Sequence, residues 1–261
     1  CGFGGMAPWV STRSDTWELY DQQWHQVAPS AHPSARTAEA MTYDSVRERV
    51  VLFGGNAYPN SLDDTWEYDG NDWHQVSLSV RPEARHGSAL VFDAAQGRSI
   101  LFGGALFDAP AGDTWEYDGT SWHRLSPAHT PVERDRHSMA YHSGKQRVIL
   151  HGGRNSLTPV TDTWELVGQD WVEVEPNSAP RARTSHGSAY DARRDRVVVF
   201  GGYDRGFLGD TWELGGGRWS EVSCPSAPTP RADITLAYDR RREVVVLFGG
   251  YDGAFLGDTW E

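Results

Sequence analysis

The stretch Asp-Thr-Trp-Glu-Tyr-Asp-Gly at residues 64–70 decides the fold, because its first four residues occur six times in the chain. Neighbouring copies begin 48 or 49 residues apart, and each copy follows a Gly-Gly pair. The copies occupy residues 15–18, 64–67, 113–116, 162–165, 210–213 and 258–261. A period of about 50 residues with strand-like content predicts one supersecondary unit that stacks against copies of itself.

Each unit contains four runs that are typical of β-strands. In the third copy these runs are residues 88–92, 98–102, 114–117 and 122–125. They are short, rich in aromatic or β-branched residues, and bounded by Gly, Asp or Pro. Asp-Gly pairs such as residues 118–119 are strong signals for a tight hairpin. We therefore expect an all-β fold in which a four-stranded antiparallel meander repeats around an axis, the architecture of a β-propeller.

The position of the large and small residues supports this arrangement. Five of the six motifs are followed by a second Trp seven residues after the first, as in Trp66 and Trp73. Because blades diverge away from the axis, large side chains are needed to fill the gap between the outer strands. Small residues such as Gly87, Ser88 and Ala89 begin the first run. We expect that run to be the innermost strand, with the tryptophans packed between blades.

The spacing of these residues resembles the kelch repeat, particularly its bacterial form. Phe-Gly-Gly at residues 53–55, the stretch at 64–70 and Trp73 carry the resemblance. It covers essentially the whole chain and implies a kelch-type propeller, usually of six or seven blades. We expect a single domain, residues 1–261, with repeats at about 29–77, 78–126, 127–175 and 176–223 and partial repeats at 1–28 and 224–261.

Two closures fit these partial repeats. The strands predicted near residues 236–248 could complete the N-terminal half-blade and give a five-bladed ring. Alternatively, the chain is a fragment, an arc of a six- to seven-bladed propeller that is cut in mid-repeat at both ends. This second alternative is favoured. An open arc would expose strand edges that promote self-association.

Composition limits the partners and the compartment. The formal net charge of −12 disfavours nucleic acid, which is bound by neutralising phosphates with basic side chains. No apolar run is long enough to span a bilayer. Lys145 is the only lysine among 24 basic residues, which indicates a GC-rich, bacterial coding sequence. Cys1 aligns with a strand of the repeat, so we interpret it as a strand residue in preference to a lipidated cysteine. The compartment stays open, with an extracytoplasmic or cell-surface location favoured.

The candidate binding surface is the rim that carries the long loops. In a meander, the links between second and third strands and the links between blades lie on the same rim, and long variable loops on a rigid scaffold commonly bind ligands. Aromatic residues in these loops could form a peptide or sugar platform or cover the blade ends, and the second interpretation is favoured. They are Tyr58, Phe107, Tyr203, Phe207, Tyr251 and Phe255. The loops at 203–209 and 251–257 are near duplicates.

Five arginines recur in the blade-to-blade links, each three residues after a proline. They are Arg36, Arg85, Arg134, Arg183 and Arg231. Guanidinium groups match carboxylates bidentately, and in kelch-type adaptors that resemble this chain, arginines near the axis bind acidic peptides. The favoured alternative is a structural pair with the Glu of each motif, which recurs with the same period. That Glu could instead pair with a second-strand arginine: Arg49, Arg98, Arg147 or Arg196.

The sequence predicts no catalytic residue, cofactor or metal site. His137 and His186 could share an axial metal, but no third ligand has suitable spacing, so scaffold hydrogen bonds are favoured. Motifs of hydrolases, zinc proteases and phosphate-binding loops are absent. The copper site of galactose oxidase, whose repeats this chain resembles, needs a cysteine that only Cys224 could supply. We expect a non-catalytic module that binds a protein or carbohydrate on the long-loop face. The alternative is a fragment of a propeller-containing oxidase or carbohydrate-active enzyme.

Overall fold

The computed structural model of the protein describes residues 12–156, 158–174 and 178–261, and every regular element in these ranges is a β-strand. An N-terminal hairpin is formed by β1 (Thr16–Tyr20) and β2 (Gln23–Val27). Blade 1 comprises β3 (Ala40–Asp44), β4 (Arg49–Phe53), β5 (Asn56–Ala57), β6 (Asn60–Ser61), β7 (Thr65–Tyr68) and β8 (Trp73–Val76). Blade 2 comprises β9 (Ala89–Asp93), β10 (Arg98–Phe102), β11 (Thr114–Tyr117) and β12 (Trp122–Arg124).

The remaining blades follow in the same order. Blade 3 comprises β13 (Ser138–His142), β14 (Arg147–His151), β15 (Arg154–Asn155), β16 (Thr158–Pro159), β17 (Thr163–Val167) and β18 (Asp170–Val174). Blade 4 comprises β19 (Gly187–Asp191), β20 (Arg196–Phe200), β21 (Thr211–Gly215) and β22 (Arg218–Val222). Blade 5 comprises β23 (Thr235–Asp239), β24 (Val244–Tyr251) and β25 (Phe255–Trp260). The prediction of an all-β propeller is confirmed.

Each blade is an antiparallel meander. Blades 1 to 4 are four-stranded sheets in the order first, second, third, fourth strand, whereas blade 5 pairs three strands. The two-residue strands β5–β6 and β15–β16 form separate small hairpins within the long loops. In blade 2 the predicted strands are confirmed to within one residue at their ends. The sequence repeat therefore corresponds to one blade.

The core lies between the blades, around the second strands. These strands are nearly continuous apolar runs because a neighbouring blade covers each face. Val51, Leu101, Leu150 and Val199 are fully buried in four successive blades. The first strands of neighbouring blades contact one another, β3 with β9, β9 with β13, β13 with β19 and β19 with β23. The first strand is therefore innermost, as predicted.

The second Trp of each unit joins its blade to the blade before it. Trp122 is buried, and its indole Nε1 donates a hydrogen bond to Oγ1 of Thr65 in the preceding blade at 3.0 Å. Trp171 and Trp219 make the same contact with Thr114 and Thr163. The aromatic ring thus fills the diverging gap while its only polar atom is satisfied. The predicted inter-blade role of these tryptophans is confirmed.

The N-terminal hairpin completes a circuit of side-chain contacts. Trp73 of blade 1 donates to Thr16 of β1 at 2.9 Å. Trp24 of β2 in turn donates to Thr259 of blade 5 at 3.2 Å and packs on Phe248. The hairpin therefore contacts both blade 5 and blade 1, as a blade between them would. The five-bladed arrangement, one of the two predicted alternatives, is confirmed. Among the described residues β1 pairs only with β2, so residues 236–248 pair within blade 5 and not with the hairpin.

No helix among the described residues is long and apolar enough to cross a membrane. Cys1 and the first Gly-Gly pair, residues 4–5, lie outside the described residues.

Candidate functional site: the long-loop face

The long-loop face is formed by the segments that connect second to third strands, together with the links that enter the first strands. One short backbone bridge ties each loop to the link of its own blade. The bridged pairs are Thr37 with Asn56, His86 with Ala105, Asp135 with Arg154, Thr184 with Tyr203, and Ala232 with Tyr251. The predicted grouping of these segments on one rim is confirmed, and the bridges hold the loops against the innermost strands.

The Gly-Gly pairs are the joints between loop and neighbouring blade. Gly54 has a φ of 64°, and a Cβ placed on it would lie 2.7 Å from the carbonyl oxygen of Arg85 in the next blade. Gly55 donates its backbone N–H to that same oxygen at 2.9 Å. Any side chain at Gly54 would push the blades apart. The glycines therefore fix where each loop leaves its blade.

A chain of backbone hydrogen bonds surrounds the axis at this rim. Four N–H groups each donate to the carbonyl oxygen of the equivalent residue in the preceding blade, over distances of 2.8 to 2.9 Å, and Ala38 is the first acceptor. The participants in chain order are Ala38, Gly87, Arg136, Ser185 and Asp233. All five have positive φ, which costs energy in the four that are not glycine. Such strain persists only where the surrounding structure enforces it, so this rim is rigid.

The five link arginines lie inside the protein, where each binds an aspartate of its own blade. Arg134 is 0% exposed, and its two terminal nitrogens donate to both carboxylate oxygens of Asp162 at 2.6 Å. Its remaining bonds go to the carbonyl oxygens of Val132 and Gly152. The same pairing joins Arg36 to Asp64, Arg85 to Asp113, Arg183 to Asp210 and Arg231 to Asp258. This geometry favours the structural interpretation of the arginines.

The structural partner differs from the one expected from sequence. The arginines bind the Asp of Asp-Thr-Trp-Glu, whereas the Glu binds cations of the hairpin between first and second strands. Glu116 pairs with Arg98 and Glu165 with Arg147, as the sequence suggested. Glu67, however, pairs with Arg47, and Glu213 with Arg194, so the expectation for Arg49 and Arg196 is wrong. The Asp and the Glu of each motif therefore belong to two separate networks.

The five aspartates, which are only partly buried, are held ionised. Burial alone raises the pKa of the Asp162 carboxyl, but hydrogen bonds from Arg134 and from the Trp164 indole outweigh it and lower the pKa below its usual value. Asp64, Asp113 and Asp210 follow the same rule. The Arg231 guanidinium lowers the pKa of Asp258 to about 2. Each Arg-Asp-Trp cluster is therefore a charged clamp between link and third strand at neutral pH.

The exposed aromatic residues of the face fall into two groups. Phe107 is 98% exposed and Tyr58 is 85% exposed, and each projects from a separate loop. Four others form a continuous series across blades 4 and 5. Ring centroids are separated by 5.5 Å from Tyr203 to Phe207, 5.9 Å from Phe207 to Tyr251, and 5.2 Å from Tyr251 to Phe255. We call this series the aromatic ladder.

The ladder is only partly visible in the sequence. The near-identity of residues 203–209 and 251–257 indicates that the two loops share a conformation. It does not indicate that Phe207 of one loop reaches Tyr251 of the other, because that contact depends on how two blades sit side by side. Phe207 and Phe255 consequently join Tyr203 and Tyr251 as candidate contact residues.

The two histidines that directly precede the first strands of blades 3 and 4 point into the interior. His186 and His137 are buried, and Nε2 of His186 lies 2.8 Å from Oγ of Ser138. His151 occupies the second-strand position of Phe102 and packs on His186 at 5.5 Å between centroids. Burial lowers the pKa of His137 and of His151 to about 3. Within the described residues no group of three metal-ligating side chains is arranged to hold an ion. His74 and His123 lie at the exposed edge.

Two clefts lie away from this face, between outer strands. One of about 460 Å³ separates blades 4 and 5 and is lined by Phe200, Thr211 and Trp260. It occupies the place that Trp219 fills between blades 3 and 4. The other, of about 350 Å³, separates the N-terminal hairpin from blade 1. Both continue the inter-blade core, so we do not assign them to ligand binding.

Comparison with known families identifies the family of the repeats. The family model described as the KLHDC2/KLHL20/DRC7 Kelch-repeats domain matches residues 2–178 and again residues 119–261. The two overlapping matches together cover nearly the whole chain. No curated protein matches the sequence.

Proposed function

Since the chain belongs to the kelch-repeat family, whose propellers usually bind proteins, we propose that it binds a protein or peptide ligand on its long-loop face and carries out no chemistry of its own. The main support for this proposal is that large aromatic side chains are exposed on the loops of blades 1, 2, 4 and 5. Aromatic residues concentrate in protein interfaces because they bury much apolar area at little entropic cost.

The rigid rim supports the proposal. The Gly-Gly joints, the axial hydrogen-bond chain and the charged clamps fix the loop ends, so the loops lose little freedom when a ligand binds. In this proposal the five arginines position the face from inside. Tyr58, Phe107, Tyr203 and Tyr251 contact the ligand.

A phage-displayed library of random peptides, selected on the purified protein, tests this function. We expect the selected peptides to lose binding when Tyr58, Phe107, Tyr203 and Tyr251 are replaced together by Ala. The matched control replaces Val46 and Val172, which are 67% and 49% exposed but lie off the long-loop face. This control should bind as the parent does.

Two results would contradict the proposed function. One is selected peptides that bind the aromatic variant as well as the parent. The other is a protein that binds glycans on an array but selects no peptide from the library. Circular dichroism of both variants establishes that loss of binding is not loss of folding.

A further inference from the structure

The aromatic ladder is confined to blades 4 and 5, and one position shows why. The residue that follows the Gly-Gly pair is Asn56, Ala105 and Arg154 in blades 1 to 3, but it is Tyr203 and Tyr251 in blades 4 and 5. The backbone bridge to the link is the same in all five. Only the last two blades therefore present a ring at a fixed place beside the innermost strand.

The ladder offers separate ring faces instead of one flat surface. Neighbouring rings meet at interplanar angles of 73°, 70° and 55°. Tyr203 is 40% exposed and Phe255 is 70% exposed, with Phe207 and Tyr251 half-buried between them. Tilted rings leave shallow notches between them, in which a compact apolar ring can sit against two aromatic faces.

The two tyrosines of the ladder lie close enough together for one turn of a polyproline II helix to reach both. Tyr203 and Tyr251 are separated by no more than two steps of the ladder, of 5.5 Å and 5.9 Å. A polyproline II helix advances about 9 Å in one turn of three residues. A peptide with proline at every third position would therefore present one pyrrolidine ring to each tyrosine. Such a peptide is already extended, so it loses little entropy on docking.

Two aspartates lie next to the backbone bridge of Tyr251 at one end of the ladder. Asp252 follows Tyr251 directly, and exposed Asp233 follows Ala232, the bridging partner of Tyr251. The other loop carries Asp204 but also Arg205, which offsets its charge. The excess of acidic charge therefore lies beside Tyr251, on a chain whose net charge is −12. A basic side chain beside that tyrosine would gain ion pairing and a favourable contact with the ring face.

We propose that the aromatic ladder binds a proline-rich segment in polyproline II conformation, with prolines at every third position and a Lys or Arg beside Tyr251. This inference rests on the proposed function and specifies its ligand.

A synthetic fluorescent peptide of about ten residues, with prolines at every third position and a terminal arginine, is the direct probe. We expect saturable binding that weakens about tenfold or more in Phe255→Ala and in Tyr251→Ala. Val46→Ala is the control, because this exposed side chain lies off the long-loop face and outside the residues proposed to contact a ligand. It should leave the affinity unchanged. Replacing the peptide prolines by alanine, or its arginine by glutamate, should also weaken binding.

The outcomes separate this inference from the proposed function. Equal binding of the alanine peptide, unchanged affinity in both ladder variants, or no binding of the proline peptide would each overturn the inference. If the random library nevertheless yields proline-free peptides that need the long-loop aromatics, the proposed function stands without it. If no peptide of any class binds, both fail. Phe255 is largely exposed, so its variant remains informative even if Tyr251→Ala destabilises the fold.

Discussion

At the residue scale, the cluster of Arg, Asp and Trp is the unit that recurs. The Asp carboxylate accepts two hydrogen bonds from the guanidinium and one from the indole of the Trp two residues later, as in Asp162 with Arg134 and Trp164. Bidentate, charge-assisted bonds are among the strongest in proteins. The cluster thus joins three recurring residues of each repeat, the link Arg, the Asp and the first Trp, in one contact.

The partner of the arginines could not have been deduced from periodicity. Asp and Glu lie three positions apart in the motif and recur with an identical period, so spacing alone does not distinguish them. What decides is that the Asp lies just before the third strand, at the rim where the link enters. The Glu lies further along the strand, toward the opposite rim. That distinction needs the strand boundary to within one residue, which sequence patterns do not supply.

Replacing Arg134 by Met tests the clamp. The substitution leaves the Asp162 carboxylate in a largely buried place without its cation, so we expect a loss of about 3–5 kcal/mol in the free energy of unfolding. The matched control is Arg81→Met, which removes a pair with Asp63 that is 43% and 42% exposed and should cost less than about 1 kcal/mol. Urea denaturation measures both. Similar small losses in the two variants, with ligand binding abolished only in Arg134→Met, would support the receptor interpretation instead.

At the element scale, the side chains packed between neighbouring blades follow one repeated pattern with local exceptions. The second Trp and the Thr that accepts its hydrogen bond recur between successive blades, and this layer was predictable because the Trp spacing is visible in the sequence. The layer around blade 3 departs from it, since His151 replaces the Phe found at residues 53, 102 and 200. His137 and His186 lie beside it, each directly before the first strand of a neighbouring blade. The sequence named both histidines but could not tell that three imidazoles would be buried together.

This histidine layer should make stability depend on pH. Burial holds the pKa of His137 and His151 at about 3 and places that of His186 well below 6.5. In the unfolded chain they protonate near their usual 6.5, so the unfolded state binds more protons in acid. The stability that these neutral histidines allow is therefore fully present above about pH 6.5. It is lost progressively as the pH falls from 6.5 toward about 3.

His151→Phe should reduce this dependence, because phenylalanine fits the same position in blades 1, 2 and 4. The urea midpoints at about pH 7.5 and about pH 5.5 measure how strongly the stability of each variant depends on pH. The control is His74→Phe, which replaces a histidine on the exposed edge instead of one in the buried layer. An unchanged slope in His151→Phe, or an equal reduction in both variants, would rule out the buried layer as the cause.

At the scale of the whole molecule, five blades and an N-terminal hairpin form one circuit of contacts. The repeat predicted the blades, their strands and the radial stacking, because each of these follows from local patterns. The repeat did not predict how the two ends of the circuit meet. They meet through Trp24, Phe248 and Thr259, and contacts between segments this far apart in the chain leave no local pattern in the sequence. The aromatic ladder escaped prediction for the same reason. The rigid circuit matters for function because it holds the long loops on one face.

Hydrogen exchange of the protein with and without a library-selected peptide tests this account most directly. We expect the bound peptide to slow exchange in the loops at residues 203–207 and 251–255 and in the adjoining links. The short hairpins on the opposite rim, such as residues 69–72 and 118–121, should exchange as before. Protection confined to those hairpins or to the outer strands, with the long loops unaffected, would contradict the assignment of ligand binding to the long-loop face.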